Sequence, residues 1–335
     1  MKGILLVNLG TPDSPSTSDV RKYLTQFLND RRVIDISPIG RFFLVNFIIV
    51  PFRAKKSAGL YKKIWTEKGS PLLIHGNALK EKLQNELGEN YFVELGMRYQ
   101  SPSLETALNK LKEKKVSEII VLPMYPQYAS SSTGSSVEEV LRIIKSWEVT
   151  PSVKIINKFY DEPLFYDAWQ EVAKKFNVND FDHFVFSYHG LPERQILKAS
   201  AHYGGNTCKM GDCCNKISKN NQYCYRAACF ETTRQLIKKL NIPAEKSTTS
   251  FQSRLDDGWL KPYSDKVMEE LPAKGNKKIL VLSPAFVADC LETIYEIGTE
   301  YREIFMHAGG ERFEWVESLN ANPVWVKAVA AMVKS

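Results

Sequence analysis

A chain of 335 residues, 44% apolar and 25% charged, has the composition of an ordinary folded protein and is long enough for two cores rather than one, which sets intrinsic disorder aside. Its formal charge of +7 comes from basic residues scattered along what read as exposed helix faces, with no basic run interleaved with aromatics, so nucleic acid is not expected as a partner.

The first apolar run, residues 3–9, has no small-residue cleavage site and turns at Gly10-Thr11-Pro12; it reads as a strand rather than a signal peptide. Helices follow at 17–29 and 72–87, then strand 91–97, helix 103–114, strand 118–123, helix 136–147 and strand 152–157. The most apolar stretch, Phe42–Phe52, is about half the ~20 residues needed to span a bilayer and is broken by Asn46 and Pro51. Two readings of the wider segment 38–56 stand: an interfacial helix touching a membrane, since it ends in basic residues, or a lid helix facing the core. The second half repeats the alternation, with helix 163–175, strand 183–188, helix 227–240, strands 247–251 and 278–282, helix 289–305, and a last helix Pro323–Val333 capped by Asn322. Continuous apolar runs such as GILLVNL and EIIVLPMY are the mark of parallel strands covered on both faces. The expected fold is therefore α/β, with two doubly wound parallel sheets of Rossmann type. The domains expected are 1–155, 156–320 with a cysteine-rich insertion over 200–230, and a terminal helix 321–335.

Ligands of open α/β sheets sit beyond the carboxyl ends of the strands, and the loops there are unusual. Tyr125–Ser136 is rich in hydroxyls and stands before a helix that it could cap, or where it could bind an anion. Neither GxxxxGK[ST] nor GxGxxG occurs, so no nucleotide cofactor is expected. Ser187–Arg194 places His189 at a strand end, where an imidazole serves as base, metal ligand or buried structural residue. Asp289, Glu292, Glu296 and Glu300 recur at spacings of three and four, as one acidic stripe of a helix. Such a stripe is either a solvated face or a place that handles protons or a cation.

These loops, in this order, carry NLGTP, GSPLL, MRY, LPMYPQY, SYHGLPER, SFQSR and FVADCLET, and with them the chain resembles the ferrochelatase family over roughly residues 1–300. The resemblance implies two Rossmann-like domains around a porphyrin cleft and insertion of Fe²⁺, as substrate, into protoporphyrin IX, the last step of heme synthesis. Coproporphyrin III, or another tetrapyrrole and metal, is the alternative. It implies His189 and Glu292 as catalytic residues and ligands of the incoming iron, with Asp289 and Glu296 on an acidic conduit, and Leu9, Tyr61, Arg98, Tyr99, Ser130 and Trp259 beside the porphyrin. Cys290 stands where many members have histidine. The segment 38–56 matches the family's apolar lip, which implies a cytoplasmic protein touching the inner face of a membrane.

Five of the six cysteines lie between Cys208 and Cys229. In a reducing compartment such grouping favours a metal site over disulfides, and thiolates suit either a [2Fe-2S] cluster or zinc. The resemblance favours iron and sulfur. Cys208, Cys213, Cys214, Cys224 and Cys229 compete for four places, and one of the adjacent Cys213 and Cys214 is expected to be spare.

Overall fold

The computed structural model describes residues 1–203 and 205–335; residue 204, inside the expected insertion, lies outside the described residues. One compact unit comprises Met1–Tyr125, Ser130–Lys158 and Val326–Ser335, the other Pro126–Ala129 and Phe159–Trp325.

The first unit is built on a parallel sheet of β1 (Lys2–Gly10), β2 (Tyr91–Tyr99), β3 (Glu118–Pro123) and β4 (Ser152–Ile155), in the order β2-β1-β3-β4. Around it lie α1 (Thr17–Leu28), α2 (Pro38–Phe43), α3 (Val50–Ile64), α4 (Pro71–Leu87), α5 (Leu104–Glu113) and α6 (Ser135–Ile144). Register runs Leu5↔Glu94 on one side of β1 and Leu5↔Val121 on the other. Ile4, Leu5, Leu6 and Val7 are wholly buried, as expected of a central strand covered on both faces. Local chemistry sets the helix starts: Ser16 accepts the Asp19 amide and Ser103 that of Thr106, each satisfying an orphan donor.

The second unit repeats the plan. Strands β5 (His183–His189), β6 (Ser247–Gln252), β7 (Lys278–Leu282) and β8 (Arg312–Trp315) form a parallel sheet ordered β6-β5-β7-β8, accompanied by α7 (Pro163–Ala173), α8 (Glu193–Tyr203), α9 (Tyr225–Leu240), α10 (Ser264–Glu270) and α11 (Arg302–His307). Phe159, Phe165 and Trp325 pack together, mostly edge to face, and are fully buried; each such side chain contributes roughly 1.5–3 kcal/mol by leaving water. The last helix, α12 (Pro323–Lys334), begins in this unit, with Asn322 accepting the Val324 amide as expected of its cap, and ends in the first.

Four features depart from the sequence reading. The helix expected over 289–305 is π-helical over Glu292–Tyr301 before α11. A second π-helical turn, Leu44–Ile49, joins α2 to α3, so the apolar segment belongs to a helix running to Ile64. Strand β8 and helices α8 and α10 were not expected, because four charged or aromatic residues in a row (Arg312–Trp315) and short polar stretches lack a legible period. Finally, α6 has no side-chain cap; of the hydroxyls before it, that of Ser130 accepts from Arg32 instead.

Candidate active site

In each sheet the winding reverses between the two central strands, β1 and β3 in one and β5 and β7 in the other. Loops leaving the carboxyl ends there diverge, and the crevice they leave is where open α/β sheets bind ligands. In the second unit those two loops are the ones that carry His189 and the approach to Glu292.

The half-buried His189 ends β5. Its ring lies 6.4 Å from that of Trp259 and 6.3 Å from that of Phe286, and its Nδ1 is 2.6 Å from the Gly190 carbonyl oxygen. A carbonyl only accepts, so Nδ1 carries the hydrogen and donates it, which leaves Nε2 as the atom with a lone pair for a proton or a metal. The turn after the histidine requires glycine: a Cβ on Gly190 would meet the Gln252 carbonyl oxygen at 2.7 Å and the Trp259 ring at 3.2 Å.

The expected acidic stripe is divided. Asp289 is buried ahead of the π-helix, where it accepts from Thr293 Oγ1 at 2.9 Å, the Ser318 amide at 3.2 Å and Asn320 Nδ2 at 2.7 Å. Both oxygens of Glu296 are saturated by donors, namely the Ser253 amide (2.8 Å), Tyr301 Oη (2.8 Å), Gln252 Nε2 (2.9 Å) and Ser253 Oγ (2.5 Å). Glu292 is half-buried, with the Cys290 thiol against it; burial first, then the neighbouring carboxylate, pushes that thiol up. The i→i+5 winding over Glu292–Tyr301 gives these acids different neighbours from those of a regular helix.

In the first unit the residues expected beside a porphyrin fall into two groups. Leu9 and Ser130 are half-buried at the ends of β1 and of the loop after β3. Tyr61 is buried edge-on to Tyr23 and Trp65. The carboxylate that Arg98 meets is that of Asp30, at 2.8 Å, and its Nε donates to Ser135 Oγ at 2.7 Å. Tyr99 Oη and Ser135 Oγ donate to the same Asp30 oxygen, at 2.9 and 2.5 Å. Burial alone would raise the Asp30 carboxyl, but the hydrogen bonds from Ser135, the Arg32 amide and Tyr99, together with the Arg98 charge, hold it below its ordinary range. Arg32 donates to Ser130 Oγ at 2.8 Å and also pairs with Glu138. Asp30 and Ser135 were missed in the sequence, where only the charged run Asp30-Arg31-Arg32 after α1 hinted at them.

Among the described residues no group of three or more histidine, cysteine, aspartate or glutamate side chains is arranged to hold a metal ion. All six cysteines are free thiols, and four of them fall into two contacting pairs. Cys208 lies against Cys213, with burial the chief reason its thiol is raised and Cys213 and Cys214 adding to it. Cys214 lies against Cys224; the hydrogen bond between them is the chief cause that raises the first thiol and lowers the second. Arg226 also donates to Cys214 Sγ at 2.9 Å. Cys229 is fully buried within α9 against Tyr225.

The fold is shared with solved chelatases. SirB from Bacillus subtilis with Fe³⁺ superposes with a TM-score of 0.57 at 12% identity over 99% of this chain and 94% of that one, and the sirohydrochlorin chelatase SirB from Bacillus subtilis subspecies spizizenii in complex with cobalt with 0.53 at 11%, over 99% and 94%. The class defined is thus an α/β protein of the chelatase fold. A ferrochelatase family profile matches residues 1–335. The ferrochelatase of Coxiella burnetii (strain Dugway 5J108-111) is 46% identical over 99% of this chain and 93% of its own length, and that of Legionella pneumophila (strain Lens) 45% identical over 99% and 98%. The chain belongs to the ferrochelatase family, lyases that insert iron into a porphyrin.

Proposed function

We propose that this chain inserts Fe²⁺ into protoporphyrin IX, with His189 and Glu292 as the catalytic pair. The observation that carries this is that His189 ends β5 and Glu292 opens the helix after the loop that leaves β7, at the winding reversal of the second sheet. Metallation releases two pyrrole protons for each Fe²⁺ that enters. The Nε2 lone pair of His189 is free to take a proton, because Nδ1 is committed to Gly190. Imidazole and carboxylate are both acceptable ligands for borderline Fe²⁺, so Glu292 supplies the charge that offsets the metal's. Asp289 and Glu296, tied to neutral donors on each side of Glu292, fix the helix that presents it. Trp259 and Phe286 give His189 an aromatic surround; in the first unit Leu9, Tyr61 and Ser130 are read as porphyrin contacts, and Arg98 and Tyr99 hold Asp30.

The test is anaerobic loss of free-porphyrin fluorescence on adding Fe²⁺. His189→Ala and Glu292→Gln should each slow it by about 10²–10⁴-fold, the usual worth of a positioned proton-transfer group. Turnover with coproporphyrin III alone would move the substrate assignment to that porphyrin. Wild-type rates in both variants would remove the pair from the mechanism.

The thiols are read as the site of a [2Fe-2S] cluster held by Cys208, Cys213, Cys214 and Cys224. What supports this is the donor set: two contacting pairs of thiols, with electrostatic coupling between the pairs, and one thiol, Cys224, held below its ordinary range by its hydrogen bond with Cys214. Soft thiolates suit such a cluster. Cys229, sealed in the helix, would not be a ligand, and both Cys213 and Cys214 would be.

A membrane role is read from α2 and α3. Ile39, Phe42, Phe43, Phe47, Ile48 and Phe52 are exposed, Phe52 by 79%, and Arg53, Lys55 and Lys56 follow them. No described helix is long and apolar enough to cross a membrane, so contact would be peripheral, by an interfacial helix in the plane of the headgroups. On this reading the protein works in the cytoplasm at the inner membrane face, without nucleic acid.

A further inference from the structure

The loop 283–291 leaves β7, lays Phe286 beside the His189 ring and opens into the π-helix at Glu292. What holds this loop lies further along the chain, in the turn after β8. There the Asn320 amide donates to the Val287 carbonyl at 2.8 Å. The Asn320 side chain bonds Asp289 twice: Nδ2 donates to Asp289 Oδ2 at 2.7 Å, and Oδ1 accepts the Asp289 amide at 2.9 Å. A backbone N–H only donates and a carboxylate only accepts, so the side-chain amide fits Asp289 in one orientation. The buried Asp289 carries the hold onward. Its Oδ1 accepts from Thr293 Oγ1 at 2.9 Å, and Thr293 Oγ1 in turn accepts the Cys290 amide at 3.0 Å. Asp289 and Thr293 thereby close a hydrogen-bonded ring around the turn on which Glu292 stands.

We infer that Asn320 is a positioning residue for Glu292. Its backbone lies in the left-handed region, with φ at 49°, which glycine, asparagine and aspartate visit at little cost. Glycine there would offer Asp289 nothing, and aspartate would set a second carboxylate against the first. Asparagine supplies the backbone turn, the donor for the carboxylate and the acceptor for the amide together. Its three bonds fix residues 287 and 289 at once, and a buried network with its members satisfied is rigid. The direction of the Glu292 side chain therefore depends on a residue that need not touch iron or porphyrin. The inference rests on reading Glu292 as one of the catalytic pair.

The experiment is a double-mutant cycle on anaerobic metallation of protoporphyrin IX, with Asn320→Gly, Glu292→Gln and the two combined. Glycine keeps the left-handed backbone and removes both side-chain bonds. Asn320→Gly alone should lower kcat about tenfold, the order expected for a displaced catalytic group, with KM for the porphyrin near the wild-type value. In the Glu292→Gln background the carboxylate to be positioned is gone, so adding Asn320→Gly should leave the residual rate unchanged, since groups that act as one unit are not additive. A merely structural role would lower both backgrounds alike. Thr293→Val, which keeps the shape and removes the hydroxyl of the same ring, takes the place of Asn320→Gly in the cycle if that variant does not fold, with the same result expected. A wild-type kcat in Asn320→Gly overturns the inference, as does an equal loss in both backgrounds. A wild-type kcat in Glu292→Gln overturns the catalytic reading, and the inference falls with it.

Discussion

Asp30 accepts from Ser135, the Arg32 amide, Tyr99 and Arg98 at once, and its side chain is only 5% exposed. Its carboxyl is held below the ordinary value of 3.8, so folding favours the charged form. The stability this adds is present above pH 3.8 and is lost as the pH falls through the lower folded value. Asp30→Asn leaves Arg98 half-buried without its counter-charge and should cost about 3 kcal/mol at neutral pH, with the gap to wild type closing in acid below that ordinary value. Urea midpoints from pH 7 to pH 2.5 measure it; a gap that stays constant over that range would falsify the charge argument. A second prediction concerns the thiols. If the four thiols hold a cluster, as proposed, serine at Cys208, Cys213, Cys214 or Cys224 should abolish its visible absorption and acid-labile sulfide, whereas Cys229→Ser should keep both, because a sulfur sealed inside a helix has no open side for iron.

At the scale of elements, α2 and α3 show what an apolar pattern alone leaves open. Val45, Val50, Ala54, Ala58 and Tyr61 face inward, and Val45 and Val50 pack with Leu28 of α1, Val33 and Ile34. Phe42, Phe43 and Phe47 form a ring cluster on the other side, with centroids 5.7 to 6.1 Å apart. The segment is thus one continuous helix with one packed face and one aromatic face in water, a combination that marks an interaction surface. Burying one phenylalanine in a lipid interface is worth roughly 1.5–3 kcal/mol, so replacing Phe42, Phe43 and Phe47 by serine should lower vesicle affinity by about 10³-fold or more. Flotation with vesicles containing anionic lipid, at low and high salt, reads this out. If the wild type stays at the bottom of the gradient in both salts, the surface has another partner.

Over the whole molecule, two sheets of the same strand order carry different loops, and the last helix joins the unit that the chain left at Lys158. Val326, Val329, Met332 and Val333 of α12 are buried. Stopping the chain after Trp325 should destabilise the first unit by about 5 kcal/mol or more, from four apolar side chains at roughly 1.5–3 kcal/mol each. A fluorescence or circular-dichroism unfolding curve that keeps the wild-type midpoint would show α12 to be dispensable.

Much of this architecture is written in local pattern. The central strands β1, β3, β5 and β7 stand out as short apolar runs because parallel strands covered on both faces need them, and His189 and Glu292 stand out because they sit just beyond such runs, where ligands of α/β sheets bind. The motifs around them were also enough to mark the ferrochelatase family. Other features depend on partners distant in the chain. The π-helical winding from Glu292 leaves no periodic signature distinct from an α-helix over so few turns. That Arg98 meets Asp30, that Asp289 is closed in by Asn320, and that Glu296 is saturated from Ser253 depend on residues 30 to 70 positions apart being brought together. Which cysteines face one another is a matter of how α9 lies against the loop before it: the spacing alone made Cys213 and Cys214 rivals, whereas the fold pairs each with a different thiol and turns Cys229 into the core. Sequence determines which residue types stand at the strand ends; tertiary packing decides which of them are engaged with one another and which, like Nε2 of His189, keep a lone pair for chemistry.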